Sequence, residues 1–463
     1  MKDILIKDIL NVTNGNILIG KLEDKCIDFS KDTRTIKDGD VFVGIKGEKF
    51  DGNLLYKDAL EKGAKTCILE NIEISQEELE KYKDKNIIIV ENTIKAIGMI
   101  AAYKRSLYDI PVIAITGSVG KTSTKDIIAN VVAQKYNVLK TQGNFNNDIG
   151  LPFTILQLKE HDALVVEMGM NHFKEIEYLS NIAKPTIAVI TNIGTSHIGN
   201  LGSRENILKA KLEILEGLKE NGTVIINNDN DLLNRWNETC TEFNKVTYGI
   251  EKKSNITAFN ILIEESSSKY NVIINNKEYN IEVPISGKHF VYNSLSSIAV
   301  GMKLNISMEL IRKGIKEFQL TKKRMDVQKI DNEVTIINDS YNASYDSVKA
   351  ALEYLKEIKG NKKIAVLGDM LELGEFSENL HRLVGKEVVK NKIDILITVG
   401  KLSKQYIAEE AKLDKMNSDN IYVCDNNIEA YNILKNIIQE NDTILLKASN
   451  ILNLSEILDM LKK

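Results

Sequence analysis

Residues 112–123 read VIAITGSVGKTS, an apolar run followed at once by a loop that contains glycine and lysine. The run Val112–Thr116 predicts a buried strand, and a helical pattern begins near Lys121. In a strand–loop–helix unit of this kind, glycines let backbone N–H groups turn toward an anion, and the helix N-terminus adds partial positive charge. The stretch therefore predicts a phosphate-binding loop formed by Gly117, Ser118, Val119, Gly120, Lys121, Thr122 and Ser123.

Two side chains of this loop have separate expected roles. Lys121 would reach the terminal phosphates of a nucleotide, and the Thr122 hydroxyl would ligate Mg²⁺. The generic P-loop pattern has glycine or alanine where Ile115 stands, so the alternative is an ordinary turn between a strand and a helix. The apolar strand before the loop and the helix after it favour phosphate binding.

Strands and helices alternate on both sides of the loop. Further buried strands are predicted at Ala163–Glu167 and Ile187–Asn192. From about residue 322 the alternation returns, with strands at Val334–Asn338, Ile364–Gly368, Ile393–Gly400 and Thr443–Lys447. Apolar strands separated by helices are typical of parallel sheets covered on both faces. The sequence therefore predicts an α/β fold with a small α/β domain at 1–108, a central parallel-sheet domain of P-loop type at 109–319 and a Rossmann-like domain at 320–463.

Length and composition restrict the class of protein. The chain has 463 residues, which is typical of about three domains, and its net charge of −4 gives no basic field for nucleic acid. No apolar run reaches the ~20 residues of a transmembrane helix, and the charged N-terminus is unlike a signal peptide. The 4 cysteines are scattered and typical of reduced thiols. We therefore expect a cytoplasmic protein without membrane insertion.

Two candidate metal ligands follow predicted strands of the central domain. Glu167 ends one strand, and His197 lies just beyond the end of the next. The carboxyl ends of parallel strands face the ligand crevice of an α/β sheet, so both side chains are expected near a bound cation. The alternatives are a solvated acid at a strand end and a loop histidine with one ordinary hydrogen bond.

Lys211 lies on the apolar face of a predicted helix that begins after Ser203, a favourable N-cap, and runs to about Glu220. At 100° per residue, the lysine falls at the centre of an apolar stripe formed by Leu208, Leu212, Leu215 and Leu218. A lysine in that place is costly unless it snorkels to the edge, pairs or loses its charge. A neutral lysine could react with CO₂ to give a carbamate, whose oxygens suit a hard cation.

Segments along the whole chain resemble the Mur ligase family. They are Asp32–Arg34, Gly39–Gly52, Thr116–Lys125, Thr141–Pro152, Glu167–His172, Ile190–Leu201, Gly202–Leu215, Asn338–Ser347 and Val366–Gly374. The order and the residues of these segments most resemble those of the family member that joins D-alanyl-D-alanine to UDP-N-acetylmuramoyl-tripeptide. The resemblance implies a monomeric ATP-dependent amide ligase of peptidoglycan precursor synthesis, which forms an acyl phosphate and releases ADP and phosphate.

The resemblance also implies roles for individual residues. One Mg²⁺ would lie near Thr122 and Glu167, and a second would be held by His197 near a carbamylated Lys211. The residues expected to act directly in catalysis are Lys121, Asn147, Glu167, His197 and Lys211.

The remaining implied roles concern nucleotide and substrate. An asparagine-rich loop, with Asn144, Asn146 and Asn147, would lie beside the γ-phosphate and the substrate. Asn293 would contact adenine, unless it is only a polar residue at a helix start. Arg324 and Asp339 would close onto the phosphate and ribose of ATP. Arg34 would belong to the UDP-sugar site of the N-terminal domain, the alternative being a surface arginine.

Some positions depart from the family pattern. The family usually has glycine at Lys174, Asn-Pro at Ser344-Tyr345, and Lys-Gly-Ser-Arg where residues 447–450 read KASN, with Ala448 and Asn450. The change to Asn450 removes a cation that could recognise a carboxylate. Two alternatives therefore stay open: a related ligase with another amine substrate, and a nucleotide-binding regulator without catalysis. The intact phosphate and metal residues argue against the regulator.

Overall fold

The computed structural model describes residues 2–319 and 324–462, which form three α/β parts, each built on a main sheet of its own. The α/β class predicted from the sequence is confirmed. The predicted domain limits after residues 108 and 319 stay predictions. Residue 320, where the third domain is predicted to begin, lies outside the described residues.

The N-terminal part has a five-stranded sheet. In spatial order its strands are Asn16–Ile19, Asn86–Ile89, Thr66–Leu69, Val41–Val43 and Phe29–Ser30. The first strand of this order is antiparallel to its neighbour, and the other pairs are parallel. A two-stranded sheet pairs Ile4–Leu5 with Lys25–Cys26. The α-helices are Ile6–Thr13, Tyr56–Glu61, Gln76–Lys81 and Thr93–Ser106.

The central part has a seven-stranded parallel sheet. Its strands, in spatial order, are Ile256–Thr257, Asn244–Gly249, Thr223–Asn227, Ile187–Ile190, Val112–Thr116, Ala163–Glu167 and Val138–Lys140. The α-helices are Lys121–Val132, Gly150–Leu156, Glu175–Ala183, Ile198–Leu201, Arg204–Leu212, Asp231–Thr239, Lys288–Lys303 and Met308–Lys316. The strand Val112–Thr116 is buried along its whole length, as its continuous apolar sequence predicts.

A three-stranded antiparallel sheet follows the parallel sheet in the chain. Its strands are Phe259–Ile263, Ser268–Ile274 and Lys277–Val283. In Ser268–Ile274, buried and more exposed residues alternate, which is typical of a sheet that covers the core on one face. This sheet was not predicted from the sequence.

The C-terminal part has a six-stranded sheet with one antiparallel edge strand. In spatial order the strands are Asp326–Lys329, Thr335–Asn338, Thr443–Lys447, Lys363–Gly368, Ile395–Val399 and Ile421–Cys424. The α-helices are Tyr345–Glu357, Ser377–Lys390, Glu409–Leu413, Asn427–Ile437 and Ser455–Leu461, and a π-helix spans Ser403–Ala408. Of the predicted strands of this part, Thr443–Lys447 has the predicted ends, and the others have ends shifted by one or two residues.

The predicted helix around Lys211 is shorter than expected. The α-helix Arg204–Leu212 continues only as a 3₁₀ turn, Glu213–Leu215, so the expected end near Glu220 was wrong. The cause is tertiary. The Ser180 hydroxyl donates to the Ile214 carbonyl and accepts from the Gly217 N–H, so groups that a longer helix would use are already bonded.

Among residues 2–319 and 324–462, no helix combines the length and the hydropathy that crossing a membrane requires.

Candidate active site

The loop after Val112–Thr116 is held in one shape by the neighbouring strand end. Gly117 has φ of +150°, and a Cβ built on it would lie 1.9 Å from the Thr191 Oγ1. The Val119 N–H donates to the Asn192 Oδ1 at 3.0 Å, and the Asn192 Nδ2 donates back to the Val119 carbonyl at 2.9 Å. The loop therefore has a fixed backbone before any ligand binds, as a phosphate cradle requires.

Lys121 begins the helix Lys121–Val132 and lies over this loop. Its Nζ donates to the Gly117 carbonyl at 2.9 Å. Burial lowers the pKa of Lys121, the Glu167 carboxylate opposes the shift, and Arg324 adds to it. An anion bound to the loop would place negative charge beside this half-buried ammonium and favour its charged form.

Glu167 ends the strand next to Val112–Thr116 and is buried, with 2% of its surface exposed. The Thr122 hydroxyl donates to one carboxylate oxygen at 2.8 Å, and the Asn146 Nδ2 donates to the other at 2.8 Å. The structure therefore brings together the hydroxyl and the carboxylate that were predicted to share a cation.

The asparagine-rich loop contributes three residues to the same region. Besides its contact with Glu167, Asn146 accepts the Gly169 N–H through its carbonyl oxygen at 2.9 Å. The Asn147 Oδ1 accepts from the Gly150 N–H at 2.8 Å, at the start of Gly150–Leu156. Asn144 and Asn147 also line the cleft, so all of the predicted asparagines lie where a substrate could reach them.

His197 and Lys211 lie close to the phosphate loop. Burial lowers the pKa of His197 most, and the positive charges of Lys121 and Lys211 lower it further, while Glu372 acts against them. The His197 Nδ1 lies 2.8 Å from the Glu372 Oε2, at an ion-pair distance but without good hydrogen-bond alignment.

Lys211 is 1% exposed, which confirms its predicted place on a buried helix face. Ile207, Ala210 and Ile214 are its buried companions, whereas the predicted leucine stripe is only half-buried. Burial, with the nearby charge of Lys121, holds the pKa of Lys211 well below its ordinary value.

The C-terminal part supplies the opposite wall of the site. The Arg324 guanidinium lies 3.9 Å from the centre of the Tyr341 ring, and its Nε is buried without a hydrogen-bond partner among the described residues. The Asp339 carboxylate pairs with the Lys447 Nζ at 2.5 Å. Both predicted residues therefore face the cleft, but Asp339 already has a cationic partner from the end of Thr443–Lys447.

The two walls enclose a cleft of about 380 Å³, within the range of small-molecule sites. Its lining includes the phosphate loop from Ser118 to Ser123, Asn293 beside Gly120, and Tyr341–Ser344 opposite. Arg34 is not part of this lining. Its side chain is 85% exposed and binds Asp32 through two nitrogens, so the structure does not bring it together with the other predicted residues.

The residues present fit a magnesium ion bound mainly through phosphate. The described ranges contain no group of three or more His, Cys, Asp or Glu side chains that could hold a metal. Mg²⁺ in nucleotide sites normally takes one or two protein ligands and completes its shell with phosphate oxygens and water. The Thr122 hydroxyl and the Glu167 carboxylate, 2.8 Å apart, match that arrangement.

Several residues at the site were not predicted individually. Three of them come from the C-terminal part: Lys447, Asp346 and Glu372. The fourth is His289, which lines the cleft and whose pKa is lowered by burial to about 4. Asp346 and Glu372 lie inside segments that already resemble the family, which was the available signal. Their partners lie in the central part, so the sequence did not indicate which contacts they make.

Three Mur ligase domain families match the chain in order. They are the Mur ligase family catalytic domain at residues 30–105, the Mur ligase middle domain at 115–301 and the Mur ligase glutamate ligase domain at 323–450. The UDP-N-acetylmuramoyl-tripeptide–D-alanyl-D-alanine ligase of Bacillus subtilis is 38% identical over 98% of this chain and 97% of its own. The chain belongs to the Mur ligase family.

Other Mur ligases agree over the full length. The Escherichia coli protein of the same name is 32% identical over 87% of both chains. Among solved structures, MurF from Acinetobacter baumannii superposes with a TM-score of 0.89, 28% identity and complete coverage of both chains. MurF from Thermotoga maritima, solved with ADP, gives a TM-score of 0.81 and 27% identity over 94% of this chain and 97% of its own. The three-domain arrangement predicted for this chain is therefore that of a Mur ligase.

Proposed function

We propose that this Mur ligase joins D-alanyl-D-alanine to UDP-N-acetylmuramoyl-tripeptide and uses ATP to do so. The observation that carries the proposal is the cleft in which the phosphate loop of the central part faces Tyr341–Ser344 of the C-terminal part. Relatives named for this reaction match the chain from end to end, which supports the same substrates here.

ATP binds with its phosphates at the loop Gly117–Ser123. Backbone N–H groups and the N-terminus of Lys121–Val132 provide partial positive charge, and Lys121 supplies a full charge to the terminal phosphates. Asn293, 7% exposed and beside Gly120, is placed to contact the nucleotide base. Arg324 and the pair Asp339–Lys447 lie opposite, where they can contact phosphate and ribose.

The residues that would hold Mg²⁺ are Thr122 and Glu167, with His197 and Lys211 close to a second position. When bound, such an ion neutralises charge that accumulates on phosphoryl oxygens. The protein residues orient the ligands: Asn146 fixes one Glu167 oxygen and Thr122 fixes the other, so the carboxylate has one orientation.

The reaction divides into two transfers. An oxygen of the tripeptide carboxylate attacks the γ-phosphorus, the bond to the β-phosphate oxygen breaks, and ADP leaves. The amine of the dipeptide then attacks the acyl carbon, the bond to phosphate breaks, and the nitrogen loses a proton. Because positioning and electrostatic stabilisation account for most of the rate in phosphoryl transfer, the fixed loop and the charge of Lys121 are the main contributions of this chain.

We also propose that Lys211 is carbamylated. Its side chain is buried, and burial with the nearby charge of Lys121 holds its pKa well below the ordinary value, which favours the neutral amine. A neutral amine adds to CO₂, forms an N–C bond and releases one proton, which leaves a carbamate anion. The product places an anion close to Lys121 and His197, where an ammonium group on Lys211 would add like charge.

The UDP-sugar end of the substrate is expected at the N-terminal part. The ion pair of Lys159 with Asp28 joins this part to the central part at 2.9 Å, and the Lys31 Nζ lies 5.9 Å from the Phe145 ring of the asparagine-rich loop. Arg34 lies in the same region and is exposed. A substrate that reaches from Arg34 to the phosphate loop would therefore pass along Asn144–Asn147.

Departures from the family pattern support one alternative, a ligase for another amine. Asn450 is exposed and begins the 3₁₀ turn Asn450–Leu452, so no cation stands at that position. By contrast, Ser344-Tyr345 preserves the helix start: the Ser344 N–H donates to the Ser347 hydroxyl, and the Tyr345 hydroxyl donates to Glu387. Ser344 lines the cleft, so this change also bears on how an amine substrate is recognised.

The proposal is tested by phosphate release with Mg-ATP and UDP-N-acetylmuramoyl-tripeptide, with and without D-alanyl-D-alanine, followed by the mass of the product. Dipeptide-dependent release with the pentapeptide mass is expected. Lys121→Met should abolish release, whereas Lys313→Met, an exposed lysine on Met308–Lys316, should not.

Other outcomes separate the alternatives. Release that depends on a different amine would indicate the divergent ligase. ATP turnover without any ligated product would favour the non-catalytic regulator. The monomeric state and the cytoplasmic location stay predictions.

A further inference from the structure

The loop that carries His197 is held from the C-terminal part at its beginning. The Asp346 Oδ2, in the first turn of Tyr345–Glu357, accepts from the Thr195 N–H at 2.7 Å and from the Thr195 hydroxyl at 2.8 Å. One carboxylate oxygen thus binds two donors across the boundary between the parts. Hydrogen bonds to a charged acceptor are stronger than those between neutral groups.

The same loop is held again at its far end. The Glu372 Oε2 lies 2.8 Å from the His197 Nδ1, and the Glu372 carbonyl accepts from the Gly199 N–H at 3.2 Å. Glu372 itself has φ of 62°, a left-handed conformation that a non-glycine residue seldom takes. The segment 194–199 is therefore bound at both ends by two residues of the C-terminal part.

Two glycines in segment 194–199 show that the fit is close. A Cβ on Gly194 would lie 2.4 Å from the Asp346 Oδ2, and a Cβ on Gly199 would lie 2.5 Å from the Gly374 nitrogen. Neither glycine has a positive φ, so their own backbone conformation does not require glycine. Glycine is required at these two positions only because the C-terminal part lies against the loop and leaves no room for a side chain.

We propose that Asp346 and Glu372 are positioning residues, which hold the C-terminal part closed on segment 194–199 and orient His197 toward the phosphate cleft. His197 lines the cleft, whereas neither acidic residue does, so they act through the loop. A carboxylate at the Nδ1 of a histidine leaves the Nε2 for a ligand. The functional purpose of this closure rests on the proposed ligase function. The contacts of Asp346 and Glu372 with segment 194–199 do not depend on which amine is the substrate.

Small-angle X-ray scattering of the full chain tests closure directly. The radius of gyration is measured with and without Mg²⁺ and a non-hydrolysable ATP analogue, and turnover is measured in parallel. The variants are Gly194→Ala, Gly199→Ala, Thr195→Val and Asp346→Ala. Each glycine-to-alanine substitution adds one methyl group, which clashes with the C-terminal part in the closed form and has room in an open form. Thr195→Val removes one hydroxyl group without adding bulk.

The wild type is expected to become more compact with nucleotide. Both glycine variants should stay expanded under the same conditions and lose at least tenfold in kcat. The double variant Thr195→Val with Asp346→Ala should lose no more than Asp346→Ala alone, because both changes break one contact. Glu353→Gln, exposed on the same helix, and Asn200→Ala, exposed beside Gly199, should behave as the wild type.

Two results would overturn the proposal: glycine variants that compact like the wild type, or a double variant whose losses are the sum of the single losses. Failure of the proposed function gives a different pattern. If the wild type makes no product with D-alanyl-D-alanine while the glycine variants still fail to compact, the positioning role stands and the amine substrate is wrong.

Discussion

Lys174 takes the left-handed conformation, with φ of 72°, immediately before the helix Glu175–Ala183. Its N–H donates to both oxygens of Glu213, each at 2.9 Å, which ties the helix start to the 3₁₀ turn Glu213–Leu215. A side chain in this region costs about 1–2 kcal/mol because the Cβ crowds the following carbonyl. The bond to Glu213 uses only the backbone and is open to any residue except proline.

Lys174→Gly should therefore stabilise the protein, by about 1 kcal/mol once the greater freedom of glycine in the unfolded chain is set against the relieved strain. The ion pair lost with Glu177 is exposed and contributes little. Urea unfolding of both proteins measures the difference. A lower free energy of unfolding for the glycine variant would mean that the side chain of Lys174 has a stabilising role that its contacts do not account for.

Lys211 provides a second prediction at this scale. Lys211→Ala should lower turnover at least a hundredfold, and a small carboxylate such as formate should restore part of it, because the buried site needs an anion beside Lys121 and His197. Lys209→Ala, exposed on the same helix, is the matched control and should remain active. No rescue, together with wild-type turnover that is unaffected by removal of CO₂, would contradict carbamylation.

The phosphate loop is the element that depends most on glycine. A Cβ on Gly117 would meet the Thr191 Oγ1 at 1.9 Å, so the loop and the neighbouring strand end cannot both keep their positions. Gly117→Ala should weaken ATP binding by at least ~10-fold, or about 1.4 kcal/mol, as measured by calorimetry. Gly202→Ala, with φ of +80° and nothing within 4 Å of the added methyl group, controls for the backbone cost alone. Equal effects of the two changes would show that the clash is unimportant.

Elements with a continuous pattern could be predicted closely. Val112–Thr116, Ala163–Glu167 and Thr443–Lys447 have the predicted ends, since uninterrupted apolar runs bounded by turn residues fix a buried strand. The helix after Ser203 was predicted too long because Ser180, from another helix, supplies the hydrogen bonds that end it. A contact of that kind depends on tertiary packing, which the local pattern does not contain.

At the scale of the whole molecule, the N-terminal and central parts are firmly joined. Arg105, 2% exposed at the end of Thr93–Ser106, donates to the Ala183 carbonyl at 2.9 Å. The C-terminal part meets the others at the cleft. The sequence predicted the residues on each wall of that cleft, but not that Asp346 bonds Thr195, 151 positions away. That pairing follows from domain closure, which no local pattern records.

The histidines predict how stability of the whole chain depends on pH. Burial is the main reason that the pKa is lowered in four histidines, His161, His197, His289 and His381. His289 lines the cleft, and His381 is fully buried. A base with a lowered folded pKa binds its proton first in the unfolded chain. Stability is therefore complete above the unfolded value near 6.5 and is lost as pH falls below it.

The thermal midpoint should accordingly fall between pH 7.5 and 5.5, and His289, whose folded pKa is about 4, should contribute the equivalent of about 1 kcal/mol to this loss. For His289 the loss should continue toward pH 4, its folded pKa. His289→Asn should make the dependence shallower over that range. A midpoint that rises on acidification would contradict the lowered pKa of these histidines in the folded chain.

The strand order of the central sheet has a consequence for synthesis on the ribosome. Val112–Thr116 lies between Ala163–Glu167 and Ile187–Ile190, and Thr191 and Asn192 fix the loop that follows it. Thr191 and Asn192 lie 72 and 73 residues after Val119, so the ribosome completes the nucleotide-binding loop well before it makes the segment that shapes this loop. Until then the loop lacks the contacts that fix its backbone, so we expect ATP not to stabilise the partly made chain.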